Sequence, residues 1–258
     1  MKTITLLTDP QLISALDAAQ VVACDIDHTL IDFDRGQEAA TREIAKAISA
    51  PFAKEMNAIF LLLLAGYRGT KQTPSNNKTY QAILQRIYDL QDDTPYGKKM
   101  WSREAMAIVA AQNINIAITP AQVEQTRDVY WGAIGDFSPL YPDAKKFIEE
   151  VKKRTITLFF TSGSDAILSV RSHLTLHYDP TFSESYKQKR LVGLPHARKV
   201  FIADPEGKIN PAFYDRVEKT IFTITHDKLR VLFVGDSYTG DIQEPEKRGY
   251  KTYLIKRE

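Results

Sequence analysis

The chain has 258 residues, of which 43% are hydrophobic and 26% are charged, the mixture of an ordinary globular protein. Its 34 Lys and Arg residues against 32 Asp and Glu residues give a net charge of +2, which argues against a dedicated binder of nucleic-acid polymers. A single cysteine, Cys24, excludes an intrachain disulfide and a zinc site built on cysteine pairs.

The first predicted strand is followed by a long helical region. An apolar run at residues 21–24 ends abruptly in Asp25, as a buried parallel strand does at its carboxyl end. From residue 34 to residue 137 the apolar residues recur at helical spacing. Within this region Thr119, followed by Pro and by Gln122, is typical of a helix start. We predict four or five helices and no strand over residues 34–137.

Strands and helices alternate again after residue 137. A helical stripe covers residues 143–153, and a second helix is expected to begin near Asp165. Such alternation predicts a doubly wound, Rossmann-like parallel α/β sheet, with a core domain at residues 1–33 and 138–258 and an all-helical domain at residues 34–137. The further predicted strands lie at residues 155–160, 199–203, 231–234 and 250–255.

The residues that follow these strands are the candidate site, because open parallel sheets bind ligands beyond the carboxyl ends of their strands. Asp25 and Asp27 follow the first strand, Thr161 follows the second, and Asp236 follows the strand at residues 231–234. Lys208 lies at a loop-to-helix junction before that strand. Carboxylates, a hydroxyl and a lysine are therefore expected at one edge of the sheet.

This set of side chains indicates phosphoryl transfer with a metal ion. Clustered carboxylates repel one another, and Mg²⁺ both relieves that repulsion and neutralises a phosphate for attack by an anion. Asp25 is the candidate nucleophile, since carboxylates form acyl-phosphates. Asp27 could give and take protons, and Asp236 would complete the metal site.

The oxygens of the phosphoryl group need donors, and these follow the second strand. Thr161, the adjacent amides of Ser162 and Gly163, and the Lys208 ammonium are expected to hold them. The positive end of the helix predicted near Asp165 would add to this.

Four motifs, in order along the chain, resemble those of one known family. The first is Asp25-Ile26-Asp27-His28-Thr29, the second ends in Thr161, the third contains Lys208, and the fourth contains Gly235-Asp236 and Asp241. On these residues the chain is identified as a member of the haloacid dehalogenase-like hydrolase superfamily, over nearly its whole length.

The resemblance implies a role for each acidic residue. Asp25 would be the nucleophile and Asp27 the acid/base, with Mg²⁺ held by the Asp25 side chain, the Asp27 backbone carbonyl and Asp236. Asp241 would lie just outside the metal ligands or orient Lys208. Because Asp27 is present, the resemblance favours a phosphatase or phosphomutase over a dehalogenase.

The chain departs from the family pattern at two positions. His28 stands where the family most often has Gly, and His is among the non-glycine residues that tolerate a positive φ. Lys208 lacks the Pro that commonly follows the family's lysine, which makes Lys199 the alternative phosphate-binding lysine.

The helical region lies where this family inserts a cap, which would exclude water during attack and set specificity. Arg68 and Lys71 are the cationic loop residues expected to contact the substrate. We therefore expect a Mg²⁺-dependent phosphomonoesterase acting on a small phosphorylated metabolite, a nucleotide or a sugar phosphate. The alternatives are a phosphomutase and, from another class, a non-catalytic phosphate-binding protein or phospho-aspartate switch.

No membrane partner is expected. The longest apolar run, residues 58–65, is shorter than the roughly 20 residues that span a bilayer, and the first ten residues do not have the pattern of a signal peptide. A cytoplasmic location is the resulting expectation.

Overall fold

The computed structural model describes residues 9–67, 77–191, 194 and 198–257. These residues form two compact units. The first contains the described residues of Met1–Asp34, Ser138–Ser164 and Leu191–Glu258, and the second those of Arg35–Phe137 and Asp165–Arg190. Among the described helices, none is long and apolar enough to cross a membrane.

The first unit is built on a parallel sheet of five strands. These are β1 (Val21–Asp25), β2 (Thr157–Gly163), β5 (Lys199–Ala203), β6 (Val231–Gly235) and β7 (Lys251–Leu254). Two short strands, β3 (Leu168–Val170) and β4 (Leu176–Tyr178), belong to the second unit. The order of the five strands in the sheet is β5-β2-β1-β6-β7, and every neighbouring pair is parallel. This confirms the predicted sheet, although β2 begins and ends later than expected and takes in Thr161 to Gly163.

Helices cover both faces of this sheet, as a doubly wound fold requires. Side chains alternate along a strand, so Val22 and Cys24 of β1 join one core, whereas Val21 and Ala23 join another. The first core includes side chains of α1 and α7, and the second those of α9. The helices of this unit are α1 (Pro10–Ala18), α7 (Pro142–Lys153), α9 (Pro211–Ile221) and α10 (Gln243–Lys247).

The second unit takes its first part from the predicted helical region. That region is α2 (Phe33–Ala47), α3 (Ala50–Tyr67), α4 (Lys78–Asp89), α5 (Arg103–Asn113) and α6 (Pro120–Phe137). At the start of α6 the Gln122 N–H lies 3.3 Å from the Thr119 hydroxyl oxygen, and the Thr119 N–H donates back to the Gln122 side chain over 2.9 Å. The capping box expected there is therefore present.

The remaining part of the second unit differs from the prediction. The helix expected near Asp165 is wrong, because the chain continues as an antiparallel hairpin of β3 (Leu168–Val170) and β4 (Leu176–Tyr178) before α8 (Pro180–Leu191). The Ala166 φ of 49° is unfavourable to a helix at this point. The segment Asp165–Arg190 also groups with the helical unit and not with the core, where the predicted domain boundaries placed it.

Buried contacts explain why this segment joins the helical unit. The Leu168 N–H donates to the buried Glu104 carboxylate of α5 over 3.2 Å, and the Leu176 N–H donates to the Leu90 carbonyl over 2.8 Å. These partners are more than sixty positions away in sequence, so they could not be read from local patterns.

Asp165 is the acidic centre of a buried ion cluster in the same unit. Its carboxylate lies 2.5 Å from the Lys187 ammonium and 3.0 Å from the Arg190 Nε, and all three side chains are almost fully buried. Such a cluster is costly to disrupt on one side, since the remaining charges stay buried.

We predict that Asp165→Asn lowers the free energy of unfolding by about 3–5 kcal/mol, because it removes a buried carboxylate that pairs with the Lys187 and Arg190 cations. Urea unfolding followed by circular dichroism measures this. Glu43→Gln, which removes an exposed 2.7 Å pair with Lys46, is the control and should cost about 1 kcal/mol or less. Equal losses in the two variants would contradict the importance of the buried cluster.

Candidate active site

Strand ends bring acidic and hydroxyl side chains to the carboxyl edge of the parallel sheet. In the register of the sheet, Asp25 pairs with Thr161, and Cys24 pairs with Val234 of β6. Asp236 follows β6 directly. Because these strands run parallel, Asp25, Thr161 and Asp236 lie at one edge, where ligands of such sheets bind.

The turn after β1 places a hydroxyl on Asp25. His28 stands where the family most often has Gly, and it adopts a φ of 62°. The turn therefore has the positive φ that was expected at this position, and His is one of the residues that tolerate it. The His28 N–H donates to the Ile31 carbonyl over 3.1 Å, and the Ile31 N–H donates to the Ile26 carbonyl over 3.0 Å, which closes the turn. The Thr29 hydroxyl then donates to Asp25 Oδ2 over 2.8 Å.

Lys208 is the lysine at this edge of the sheet. Its ammonium contacts the Asp25 carboxylate directly and lies 2.7 Å from Asp241 Oδ1. Lys199, the alternative, is exposed at the start of β5, pairs in register with Phe159, and has its ammonium over the Phe201 ring. Lys199 is therefore level with Ala23 of β1, two positions before Asp25, whereas Lys208 contacts Asp25 directly, and the structure favours Lys208.

A tight turn after β6 directs Asp241 toward Lys208. The Ser237 N–H donates to Asp241 Oδ2 over 3.1 Å, at the start of a single π-helical turn over Tyr238–Ile242. A Cβ on Gly235 would come within 2.4 Å of the Asp241 side chain, so only glycine allows this approach. The Tyr214 hydroxyl donates to the Gly240 carbonyl and fixes the turn from α9.

Three carboxylates and one ammonium give this edge an excess of negative charge. One oxygen from each of Asp25, Asp236 and Asp241 lies within 4.8 Å of the others. Asp25 and Asp241 are almost fully buried, and Asp236 is partly buried. The Thr29 hydroxyl oxygen lies 3.3 Å from Asp236 Oδ1 as well as bonding to Asp25.

Burial and mutual repulsion shift the protonation of these groups. Burial raises the pKa of Asp25 to about 6, although the Lys208 charge opposes the rise. Burial and the Asp25 charge raise the pKa of Asp236 to about 6, and burial also raises the pKa of Asp241. Burial disfavours the charged form of Lys208, but the carboxylates of Asp241 and Asp25 outweigh this effect and raise its pKa well above the usual range. Lys208 is therefore a permanent cation.

The donor set fits a hard divalent cation. Carboxylate oxygens are the ligands that Mg²⁺ takes, and one ammonium does not balance three carboxylates. Burial and the mutual repulsion of the carboxylates raise the pKa values of Asp25 and Asp236, which is in keeping with that imbalance. The carboxylate cluster includes Asp241 in addition to Asp25 and Asp236, the two side-chain ligands predicted from the sequence.

The residues expected to hold a phosphoryl group lie at the end of β2. Thr161 is buried and pairs with Asp25, and Gly163 is the last residue of the strand. The Ser162 side chain is fully buried, and within the described part of the chain its hydroxyl has no hydrogen-bond partner. The Ser164 hydroxyl donates to Asp204 over 2.8 Å. In the described part of the chain β2 is followed by β3 and not by a helix, so the helix terminus expected to face the phosphate does not follow β2.

Three further candidate residues are Asp27, Arg68 and Lys71. Asp27 lies past the end of β1, partly exposed, and its backbone forms a bridge with Ile31. Its role as acid/base and backbone ligand stays a prediction. Arg68 and Lys71 lie outside the described residues.

Tyr214 and Gly235 support the site, although sequence reasoning gave them no role. The sequence did offer a sign of the role of Gly235, because it stands directly before Asp236 at the end of a strand. Glycine at such a position often marks a place where another group comes close to the backbone. No sequence signal could have linked Tyr214 to the Gly240 carbonyl, because that contact joins a helix to a turn that is distant in sequence.

Comparison with protein families decides the class of this site. A model of haloacid dehalogenase-like hydrolases matches residues 19–246. The chain belongs to the haloacid dehalogenase-like hydrolase family. The matched range contains the four motifs and all the site residues described above. Among curated proteins, none matches the sequence.

Solved structures of this family share the fold at low identity. The proposed HAD-hydrolase YfnB from Bacillus subtilis, bound to magnesium, is 16% identical with a TM-score of 0.58, over 92% of this chain and 88% of that one. A proposed β-phosphoglucomutase from Thermotoga maritima is 14% identical with a TM-score of 0.54, over 93% and 86%. The 2-haloacid dehalogenase from Pseudomonas syringae pv. Tomato DC3000 is 16% identical with a TM-score of 0.52, over 92% and 86%. At such identities the likeness shows the fold alone.

We predict that Asp236→Asn stabilises the metal-free protein at high pH. The pKa of Asp236 is raised from 3.8 to about 6, so the folded protein binds this proton more tightly than the unfolded chain does. Asp236 therefore contributes stability below about pH 4, which is lost as the pH rises through about 6. An Asn cannot ionise, so the variant should gain about 1–3 kcal/mol over the parent at pH 8.

Thermal unfolding in EDTA, from pH 8 down to pH 5, measures this gain, which should shrink as the pH falls. Asp17→Asn, which removes an exposed carboxylate of α1 that pairs with Arg154 in the same unit, is the control and should show no such trend. A variant that is less stable than the parent at pH 8 would contradict the repulsion within the carboxylate cluster.

Proposed function

We propose that the protein is a Mg²⁺-dependent phosphomonoester hydrolase that acts on a small phosphorylated metabolite, a nucleotide or a sugar phosphate, through an aspartyl-phosphate on Asp25. The observation that carries this proposal is the surroundings of Asp25. Its carboxylate is buried at a strand end, bonded to Lys208 on one oxygen and to Thr29 on the other, and it lies beside Asp236. Nucleic-acid polymers and membranes are not expected partners.

The contacts of Asp25 suit a nucleophile. Burial favours the neutral acid, and only the ionised form attacks phosphorus. The Lys208 ammonium opposes protonation, and the Thr29 hydroxyl orients the carboxylate. In the first step an Asp25 oxygen bonds to phosphorus while the bond to the substrate oxygen breaks, and Asp27 gives that oxygen a proton.

The second step returns the enzyme to its starting state. Asp27, now ionised, removes a proton from water, and the resulting hydroxide attacks the phosphorus of the aspartyl-phosphate. The bond to Asp25 breaks, inorganic phosphate leaves, and both carboxyl groups recover their original protonation. Asp27 suits these two proton transfers because it lies past the strand end and is more exposed than Asp25.

The phosphoryl oxygens carry negative charge throughout both steps. The Lys208 ammonium, fixed by Asp241, and Thr161 with the amides of Ser162 and Gly163 are the groups proposed to hold them. Mg²⁺, held by Asp25, Asp236 and the Asp27 carbonyl, would supply further positive charge at the phosphate. Arg68 and Lys71 are proposed to contact the rest of the substrate.

A panel of phosphorylated metabolites, assayed for inorganic phosphate with and without Mg²⁺, tests this proposal. Asp25→Asn should lower turnover by about 1,000-fold or more, because it removes the nucleophile. Asp27→Asn should lower it by about 100- to 10,000-fold, the usual contribution of an acid/base group. Asp17→Asn removes an exposed carboxylate of the same unit, one that pairs with Arg154, and should retain parental turnover.

The products separate the alternative functions. A phosphomutase would transfer the phosphoryl group within its substrate without releasing stoichiometric phosphate, and a dehalogenase would release halide from a 2-haloacid. A non-catalytic phosphate-binding protein would turn over nothing. If Asp25→Asn were as active as the parent, the proposed nucleophile would be wrong.

A further inference from the structure

A guanidinium from outside the four motifs reaches the turn that carries Thr29. Arg257 follows β7 in the first unit, and its Nη2 donates to the Thr29 carbonyl over 2.6 Å. Its Nη1 lies 2.8 Å from both carboxylate oxygens of Asp143, and its guanidinium carbon is 4.0 Å from the centroid of the Tyr141 ring. The planar head of Arg257 is therefore fixed on three sides.

The pairing of Arg257 with Asp143 is strong because the Asp143 carboxylate is buried. Asp143 lies in the first turn of α7 and is only 4% exposed, so its charge needs a cation close by. Arg257 provides that cation, and its own side chain is 17% exposed. A fork of N–H groups that bonds a carboxylate and a carbonyl at once cannot be reproduced by the single ammonium of a lysine.

The same contacts decide where Thr29 lies. Its backbone carbonyl is bonded to Arg257, while its hydroxyl donates to Asp25 and lies 3.3 Å from Asp236 Oδ1. Thr29 is therefore bonded on one side to Arg257, which pairs with Asp143 of α7, and on the other side it contacts Asp25 and Asp236. If the Thr29 peptide moved, its hydroxyl could not remain between Asp25 and Asp236.

We propose that Arg257 is a positioning residue for the active site. It holds the Thr29 peptide so that the Thr29 hydroxyl orients Asp25 toward its substrate and separates Asp25 from Asp236. Its effect on turnover rests on the proposed phosphatase function, whereas its effect on the geometry of the carboxylates does not.

The variants that test this proposal are Arg257→Gln, which removes the charge and the fork, and Arg257→Lys, which keeps the charge alone. Arg154→Gln is the matched control. Arg154 lies at the end of the same helix α7 and pairs with Asp17 and Glu150, but none of its ionic contacts reaches a site residue.

Three measurements are made on each variant. They are Mg²⁺ binding to the metal-free protein by calorimetry, the kcat and Mg²⁺ activation constant with p-nitrophenyl phosphate, and a metal-free crystal structure. We expect Arg257→Gln to weaken Mg²⁺ binding about 10-fold and to lower kcat, as loss of groups that orient metal ligands usually does. Its crystal structure should show the bond from Thr29 to Asp25 broken. Arg257→Lys should be intermediate, and Arg154→Gln should match the parent.

The inference is overturned if Arg257→Gln keeps the parental Mg²⁺ affinity, kcat and Thr29 geometry, as Arg154→Gln is expected to do. If Arg257→Gln does not fold, Arg257→Lys decides, and parental behaviour in all three measurements overturns the inference. If the parent does not hydrolyse phosphate esters, the proposed function fails, but the crystal structures and the calorimetry still decide the role of Arg257.

Discussion

The contact of the Lys208 ammonium with Asp25 and Asp241 is the interaction on which the sheet edge depends. Three carboxylates converge there, one from the end of β1 and two from the turn after β6, and the Lys208 ammonium contacts two of them. Burial removes the water that would otherwise screen their repulsion. The turn with Gly235 and the Tyr214 hydroxyl contribute by directing Asp241 to this ammonium. Although the net charge of the whole chain is close to neutral, negative charge exceeds positive charge at this edge of the sheet.

That imbalance is only partly relieved within the protein. The pKa values of Asp25 and Asp236 remain near 6 in spite of Lys208, because burial and repulsion outweigh its charge. A fold selected for stability alone would replace one of these carboxylates with a neutral side chain. Their retention is understandable if a bound cation and a phosphate complete the charges during function, since perturbed carboxylates at a strand-end site are typical of catalytic groups.

Sequence patterns predicted the parts of the fold that depend on local periodicity. Local patterns predicted the five parallel strands and the helices between residues 34 and 137. They also predicted that Asp25, Thr161 and Asp236 meet at the ends of strands. The segment Asp165–Arg190 was not predictable in the same way. Its two strands have three residues each, too short for a periodic signal. Its place depends on hydrogen bonds to the distant residues Glu104 and Leu90. The contact from Arg257 to Thr29, 228 positions apart, is equally invisible to local patterns.

His28 shows how a departure from the family pattern can be compatible with the site. The turn needs a left-handed residue, and a side chain there costs about 1–2 kcal/mol of backbone energy that glycine would not. The imidazole offsets part of this, because its ring packs 5.1 Å from the Phe33 ring and its Nδ1 lies 3.7 Å from Asp34. Burial and the Asp25 charge raise the pKa of Asp236, and the imidazole of His28, when protonated, acts against them. Where the family has Gly, this chain therefore has a second basic group near its carboxylates, and the backbone hydrogen bonds that position Thr29 are still made.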